Sequence, residues 1–117
     1  MTTTKIISAI AFAGIVIGTF FTVGNVSQYI DLNSFIFVIG VGLIYAFAVS
    51  GEKSKIQKFG DGTVRAGWLG TLIGLVHIFG TAEFQSMNME AIGSAMAIVL
   101  LTLLYGYFFK LGSMLLN

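Results

Sequence analysis

The chain has 117 residues, of which 56% are hydrophobic and 9% charged, and its net charge is +1. A mean hydropathy of +0.95 excludes an ordinary water-soluble domain, because so few polar side chains could not cover so much apolar surface. The near-neutral charge excludes a nucleic-acid-binding surface. The absence of cysteine excludes disulfides and thiolate metal sites.

The first half of the chain contains two long apolar segments. Residues 6–23 and 32–49 each hold 18 residues without a charge. A helix needs about 20 residues to cross the hydrocarbon of a bilayer, so we predict transmembrane helices at about 6–23 and 32–50. A cleaved signal peptide ending near Gly24 is the alternative for the first segment, although its apolar run is long for one.

The second half of the chain begins with a polar segment at about 51–65, which we predict to be a connector. The sequence Gly-Asp-Gly within it favours a turn. The third apolar segment reaches 17 residues when it is taken from 66 to 82, and residues 91–109 hold 19 residues without a charge. We therefore predict helices at about 66–82 and 90–110, in an all-α membrane protein of four transmembrane helices in two hairpins.

Charge is distributed unequally between the two ends of this predicted bundle. The side that holds both termini and the connector carries all six basic residues, which are Lys5, Lys53, Lys55, Lys58, Arg65 and Lys110. The opposite loops carry no basic residue, and their charged residues are Asp31, Glu83 and Glu90. Because basic residues favour the cytoplasmic side, we expect both termini and the connector to be cytoplasmic.

Glycine is frequent, with 15 residues, and it recurs at intervals suited to helix packing. Lipid tails are as apolar as the side chains, so helices in a membrane associate through small residues that let their backbones approach. The predicted packing positions are Gly14, Gly18, Gly40, Gly42, Gly70, Gly74, Gly93 and Gly106. This pattern favours a tightly packed bundle or an oligomer.

Few polar side chains fall at membrane depth, and none of the five acids lies inside the core of a predicted helix. Thr71 and Thr102 are candidate hydroxyls for an ion pathway, and the alternative is that each bonds a carbonyl of its own helix. His77 is the only histidine and the only side chain that titrates near neutral pH. Its alternative role is a neutral imidazole bonded to a neighbouring helix.

Motifs of enzymatic chemistry are missing from the sequence. It contains no phosphate-binding loop, no HExxH and no nucleophile elbow, and one histidine without cysteine cannot build a metal site. We therefore expect no enzymatic activity, no catalytic residue and no metal or other cofactor. A small four-helix drug exporter would need a membrane-embedded glutamate, which the first helix lacks.

Two segments, GWLGTLIGLV at 67–76 and AIGSAMAIVLLTLLYG at 91–106, resemble the third and fourth helices of the MotA/TolQ/ExbB proton-channel family. Residues 14–18 and 29–42 resemble its first two helices. The resemblance implies a single transmembrane domain over residues 1–117 in the bacterial inner (plasma) membrane. It also implies a symmetric homo-oligomer, a pentamer, with the third and fourth helices around the centre.

The function implied by this resemblance is that of the channel-forming subunit in a motor complex driven by the proton-motive force. The membrane acid would come from a single-span partner of the MotB/ExbD/TolR type. Thr71 and Thr102 would hydrate or orient that acid, and TolQ-like chains also tend to carry a histidine at the position of His77. These three residues are the predicted ion pathway.

Three departures from the family pattern favour a second hypothesis. The chain has no proline, Leu103 stands where the family usually has a second threonine, and the large cytoplasmic region that grips the flagellar rotor is reduced to the connector. The alternative is therefore a structural protein of a membrane assembly that keeps the fold and has lost ion coupling.

Overall fold

The computed structural model describes residues 2–24, 26–81 and 85–117. The elements in this part of the chain are all helical: α1 (Thr3–Val23), a short 3-10 helix (Val26–Tyr29), α2 (Leu32–Ala48), α3 (Lys55–Phe79) and α4 (Met89–Leu116). The prediction of an all-α fold with four α-helices is confirmed. By length and composition, α1, α3 and α4 can each cross a membrane, whereas α2 is an apolar helix of 17 residues.

Each α-helix begins after a residue whose side chain accepts a hydrogen bond from a backbone N–H of the first turn. These capping residues are Thr2, Asp31, Ser54 and Asn88. Such a cap satisfies one of the N–H groups that have no partner within the helix, and it stabilises the helix end by about 1 kcal/mol. The Ser54 cap places the start of α3 inside the segment predicted to be a connector.

The largest difference from the predicted boundaries is therefore at α3, which begins at Lys55 and includes most of residues 51–65. Gly60 and Gly62 do not form a turn, because both lie in close helix contacts. A Cβ atom at Gly62 would come within 2.6 Å of Tyr45 Cβ, and one at Gly60 would overlap the Ser113 hydroxyl. Packing against α2 and α4 thus overrides the local preference of Gly-Asp-Gly for a turn.

The other helix ends differ by smaller amounts. Helix α1 begins at Thr3, three residues before the prediction, and α2 ends at Ala48, two residues before it. Helix α4 continues to Leu116 instead of ending near residue 110. Helix α3 ends at Phe79, with Gly80 as its C-cap, three residues before its predicted end at residue 82. The predicted loop acid Glu83 lies outside the described residues.

The helices pack as a thin layer with extents of 54 × 36 × 15 Å. Helices α3 and α4 share the most extensive contact, and α2 packs mainly on α3. Helix α1 contacts α4, where the rings of Phe12 and Phe108 stack with their centroids 5.3 Å apart. Among the described residues, α1 makes no comparable contact with α2, so the packing does not show the predicted first hairpin.

Little of this layer is interior. The buried hydrophobic residues of the described part are Val38, Ala46, Ala66, Ile78, Val99 and Leu101, and α1 contributes none. Large apolar side chains such as Ile15 (71% exposed) and Val76 (74% exposed) point outward instead. An apolar exterior of this extent is unfavourable in water and suits a lipid environment or contacts with other chains.

The N-terminus, the α2–α3 connection and the C-terminus meet at one end of the layer. The Lys5 ammonium donates to the Asn117 carbonyl, and the Ser54 hydroxyl lies 2.6 Å from Asn117 Oδ1. The connection itself carries Lys53, and Lys110 of α4 reaches Asp61 of α3. We call this region, which holds the six basic residues, the basic end.

We predict that the basic end faces the cytoplasm. Because the chain has no cysteine, single cysteines at the exposed residues Glu52 and Gln85 report the two sides without interference. In intact cells, a membrane-impermeant thiol reagent should label Gln85→Cys and should label Glu52→Cys only after the cells are opened. The reverse labelling pattern would contradict the predicted orientation.

Candidate functional site

The candidate site is the contact between α3 and α4 at Thr63, Gly67, Thr71, Thr102 and Gly106, which we call the seam. On α3 the three residues are spaced by four, and on α4 the two residues are also spaced by four. Side chains four residues apart lie on the same face of a helix. The sequence therefore places a stripe of small and hydroxyl-bearing residues on each of the two facing helices.

Glycine is required in the seam because the backbones of the two helices nearly touch. A Cβ atom at Gly106 would lie 2.5 Å from the Thr63 carbonyl oxygen, and one at Gly67 would lie 2.9 Å from the Thr102 carbonyl oxygen. About two turns beyond Gly67 on α3, a Cβ atom at Gly74 would overlap Val99. Close backbone approach at small residues is the main source of helix association in lipid.

The hydroxyls of Thr71 and Thr102 meet in the middle of the seam, where the two oxygens lie 3.2 Å apart. Each residue is only 7% exposed. Thr71 donates to the Gly67 carbonyl at 2.8 Å, and Thr102 lies 2.8 Å from the carbonyl of Val99. The two hydroxyls thus link α3 to α4 while also satisfying carbonyls of their own helices.

His77 is not part of this arrangement. It lies six residues beyond Thr71 on α3, with an exposed side chain, and it borders a cleft with Thr81 and Ile92. The structure therefore brings together two of the three residues of the predicted ion pathway and leaves the third at the far end of α3. In the described part of the chain, no carboxylate belongs to the seam.

A second cleft reaches the seam from the side of α2. It has a volume of about 230 Å³, and its polar lining residues are Asn33, Ser34 and Thr102. Ser34 and Thr102 are both 7% exposed, whereas Asn33 lies open at the cleft. The remaining lining of this cleft is apolar, so Thr102 borders a mainly apolar space, which the sequence did not indicate.

The predicted packing glycines divide into two groups. Gly42, Gly70, Gly74 and Gly106 lie where an added Cβ atom would meet another helix, whereas Gly14, Gly18, Gly40 and Gly93 have nothing within 4 Å of such an atom. Three further glycines that also lie against another helix were not predicted from the sequence, namely Gly60, Gly62 and Gly67. Small residues at positions 60, 63, 67 and 71 of the sequence signal this packing face, provided that residues 55–65 are treated as helix.

Asp61 forms a buried charged cluster at the basic end. It is 9% exposed, and its carboxylate accepts hydrogen bonds from Lys53 at 3.1 Å and from Lys110. The Arg65 guanidinium donates to the Asp61 backbone carbonyl at 3.1 Å. The cluster joins the α2–α3 connection, α3 and α4, and nothing in the sequence indicates these pairings beyond the charges themselves.

Tyr105 of α4 fixes the segment that precedes α2. Its hydroxyl donates to the Tyr29 carbonyl and accepts a hydrogen bond of 2.9 Å from the Asp31 backbone N–H. Tyr105 lies 16 residues after Met89, where α4 begins, so α4 extends about 24 Å beyond Tyr105 toward its first residue. The segment before α2 therefore lies beside the middle of α4 and not beside the helix end nearest Glu90.

A third cleft, near the basic end, has an apolar lining and a volume of about 440 Å³. All four α-helices contribute to it, and α1 forms one wall through Ala9, Phe12 and Ala13. Lys55 lies at this cleft, with its ammonium 4.6 Å from the centroid of the Phe47 ring. We call it the α1 cleft.

Comparison with protein-family models, with curated proteins and with solved structures finds no match to this chain. Within the described residues, no group of three histidine, cysteine, aspartate or glutamate side chains is arranged to hold a metal ion.

Proposed function

We propose that this chain is the channel-forming subunit of an inner-membrane complex driven by the proton-motive force. In this proposal five copies surround a single-span partner that supplies the membrane acid, and both termini lie in the cytoplasm. The observation that supports it best is the hydroxyl pair of Thr71 and Thr102, buried between two apolar helices, with Thr102 also lining the cleft on the side of α2. A threonine hydroxyl can both donate and accept a hydrogen bond, so this pair is suited to solvate a carboxyl group supplied by a partner.

The surface of the layer supports assembly into an oligomer. Gly14, Gly18, Gly40 and Gly93 have open space around them within the chain, although each lies in a helix whose exterior is largely apolar. Small residues on an apolar helix are suited to close contact with a neighbouring subunit or partner helix. The proposal assigns Gly93 and the adjoining first turns of α4 to the contact with the partner.

The test is to purify the chain from its native membrane in mild detergent and to identify the proteins that remain bound. The proposal expects a single-span protein with an aspartate or glutamate in its apolar segment. The complex, reconstituted in vesicles containing a pH-sensitive dye, should pass protons, and the chain alone should not. Absence of flux through the intact complex under an imposed gradient would contradict ion conduction.

Thr71→Val tests the seam within that assay, because valine preserves the shape of threonine and removes the hydroxyl. Losing one hydrogen bond that favours the conducting arrangement should lower the proton flux by about tenfold. Thr19→Val is the matched control, since the Thr19 hydroxyl on α1 donates to the Ile15 carbonyl at the same distance of 2.8 Å, outside the seam. Equal flux in Thr71→Val and the parent protein would remove Thr71 from the pathway.

A structural membrane protein without ion coupling is the second candidate. The observation that favours it is that the Thr71 and Thr102 hydroxyls bond carbonyls of their own helices and each other, which holds α3 against α4 without any transported ion. In that case Thr71→Val would weaken the association of α3 with α4, and the purified complex would show no flux before or after the substitution.

A further inference from the structure

We propose that the α1 cleft binds an anionic phospholipid, with an acyl chain between α1 and α2 and the headgroup phosphate beside Lys55. This inference requires that the chain lies in a membrane, but it does not depend on ion conduction. It assigns an anionic lipid to a surface that lies outside the seam.

The shape and lining of the α1 cleft suit a hydrocarbon chain. Its volume of about 440 Å³ falls within the range of about 300–1,000 Å³ that is typical of ligand sites. Ala9 and Ala13 leave room on the α1 side, while Leu43 and Phe47 form the opposite wall. An apolar cleft between helices that is open at one side cannot remain empty in a bilayer, because lipid tails are the surrounding solvent.

The aromatic lining favours a lipid over another protein helix. Helices pack closely in membranes through small residues. Small residues such as Ala13 and Gly112 do line this cleft, but Phe12, Phe47 and Phe108 lie beside them and hold a second backbone at a distance. An acyl chain is thin enough to lie between these rings.

The charge at the cleft favours an anionic headgroup. Both ion pairs formed by the described residues belong to Asp61, which is bonded by Lys53 and Lys110. The Lys55 ammonium lies over the Phe47 ring, and no ion pair of the described residues neutralises its positive charge. Basic residues at the cytoplasmic ends of transmembrane helices attract anionic lipids, and each contributes about 1 kcal/mol.

Native mass spectrometry of the full chain in mild detergent tests this inference. The probes are palmitoyl-oleoyl phosphatidylglycerol, which is anionic, and the corresponding phosphatidylcholine, which has no net charge. We expect saturable binding of phosphatidylglycerol about fivefold tighter than that of phosphatidylcholine, and Lys55→Gln should remove this preference. Lys58→Gln is the matched control, because Lys58 loses the same charge but borders a different cleft, beside Val49.

The acyl-chain part of the site is tested by filling the cleft. Ala13→Trp should weaken binding of both lipids by about tenfold, because the indole occupies the volume of several methylene groups. Ile10→Trp adds an indole at an α1 residue that is 67% exposed and does not line the cleft, so it should leave binding unchanged.

Three results would overturn the proposal. They are equal affinity for the two lipids, a parent-like affinity in Ala13→Trp, and a change in subunit number in Ala13→Trp without a change in lipid binding, which would assign the cleft to a second copy of the chain. If Ala13→Trp does not fold, the comparison of Lys55→Gln with Lys58→Gln still decides the matter. If the complex passed no protons, the interpretation of these lipid-binding measurements would not change.

Discussion

Replacing Gly106 by alanine should destabilise the protein by about 2 kcal/mol, because the added methyl group has no space. Its carbon would lie 2.5 Å from the Thr63 carbonyl oxygen, a backbone atom that can move only if α3 moves away from α4. The expected result is a lower midpoint when helix content is followed by circular dichroism during titration of the detergent-solubilised protein with sodium dodecyl sulfate.

Gly112→Ala provides the control for Gly106→Ala on the same helix. A Cβ atom at Gly112 meets nothing within 4 Å, and alanine is the better helix former by about 1 kcal/mol in water. The control should therefore be unchanged or slightly more stable, so that the same chemical substitution has opposite effects at two positions of α4. Equal midpoints for the two variants would mean that α3 and α4 are not in backbone contact at Gly106.

Asp61→Asn should have an effect of similar size, also about 2 kcal/mol, because it leaves the partly buried Lys110 ammonium without its negative partner. The amide can still accept one hydrogen bond, but it no longer neutralises Lys53 and Lys110 together. The same titration measures the loss. Combining Asp61→Asn with Lys110→Gln should recover part of it, since the uncompensated charge is then removed.

The control for Asp61→Asn is Glu52→Gln, which removes an exposed carboxylate that takes part in no ion pair of the described residues. Its effect should be close to zero. An additive loss in the double variant, with no recovery, would show that Asp61 and Lys110 act independently and that the cluster does not connect α3 to α4.

Much of the fold follows from charge alone, and the start of α3 shows where this reasoning ends. Four charge-free segments separated by polar residues are enough to predict four helices and to place α1, α2 and most of α4. Gly60 and Gly62 were misassigned to a turn because their conformation is decided by Ser113 and Tyr45, which lie far from them in the sequence. Local preference cannot include a contact that exists only after α2, α3 and α4 have packed.

The candidate site, like the fold, was predicted from the sequence only in part. Thr71 and Thr102 could be selected from the sequence because they stand at the positions that the family resemblance assigns to the ion pathway, but their separation of 3.2 Å depends on the register between α3 and α4. The same register brings Asp61 to Lys110 and leaves His77 apart from both threonines. No periodicity within a single helix determines how far one helix slides along another.

The seam has a consequence for how this sequence can change over time. In a water-soluble protein, the positions that tolerate the fewest substitutions are usually those of large side chains in the packed interior. Here most large side chains face outward, where one apolar residue can replace another. The positions without freedom are the smallest ones, such as Gly67 and Gly106, because any added atom would separate the two helices. Related sequences should therefore drift most in their bulky residues, while the spacing of their glycines persists.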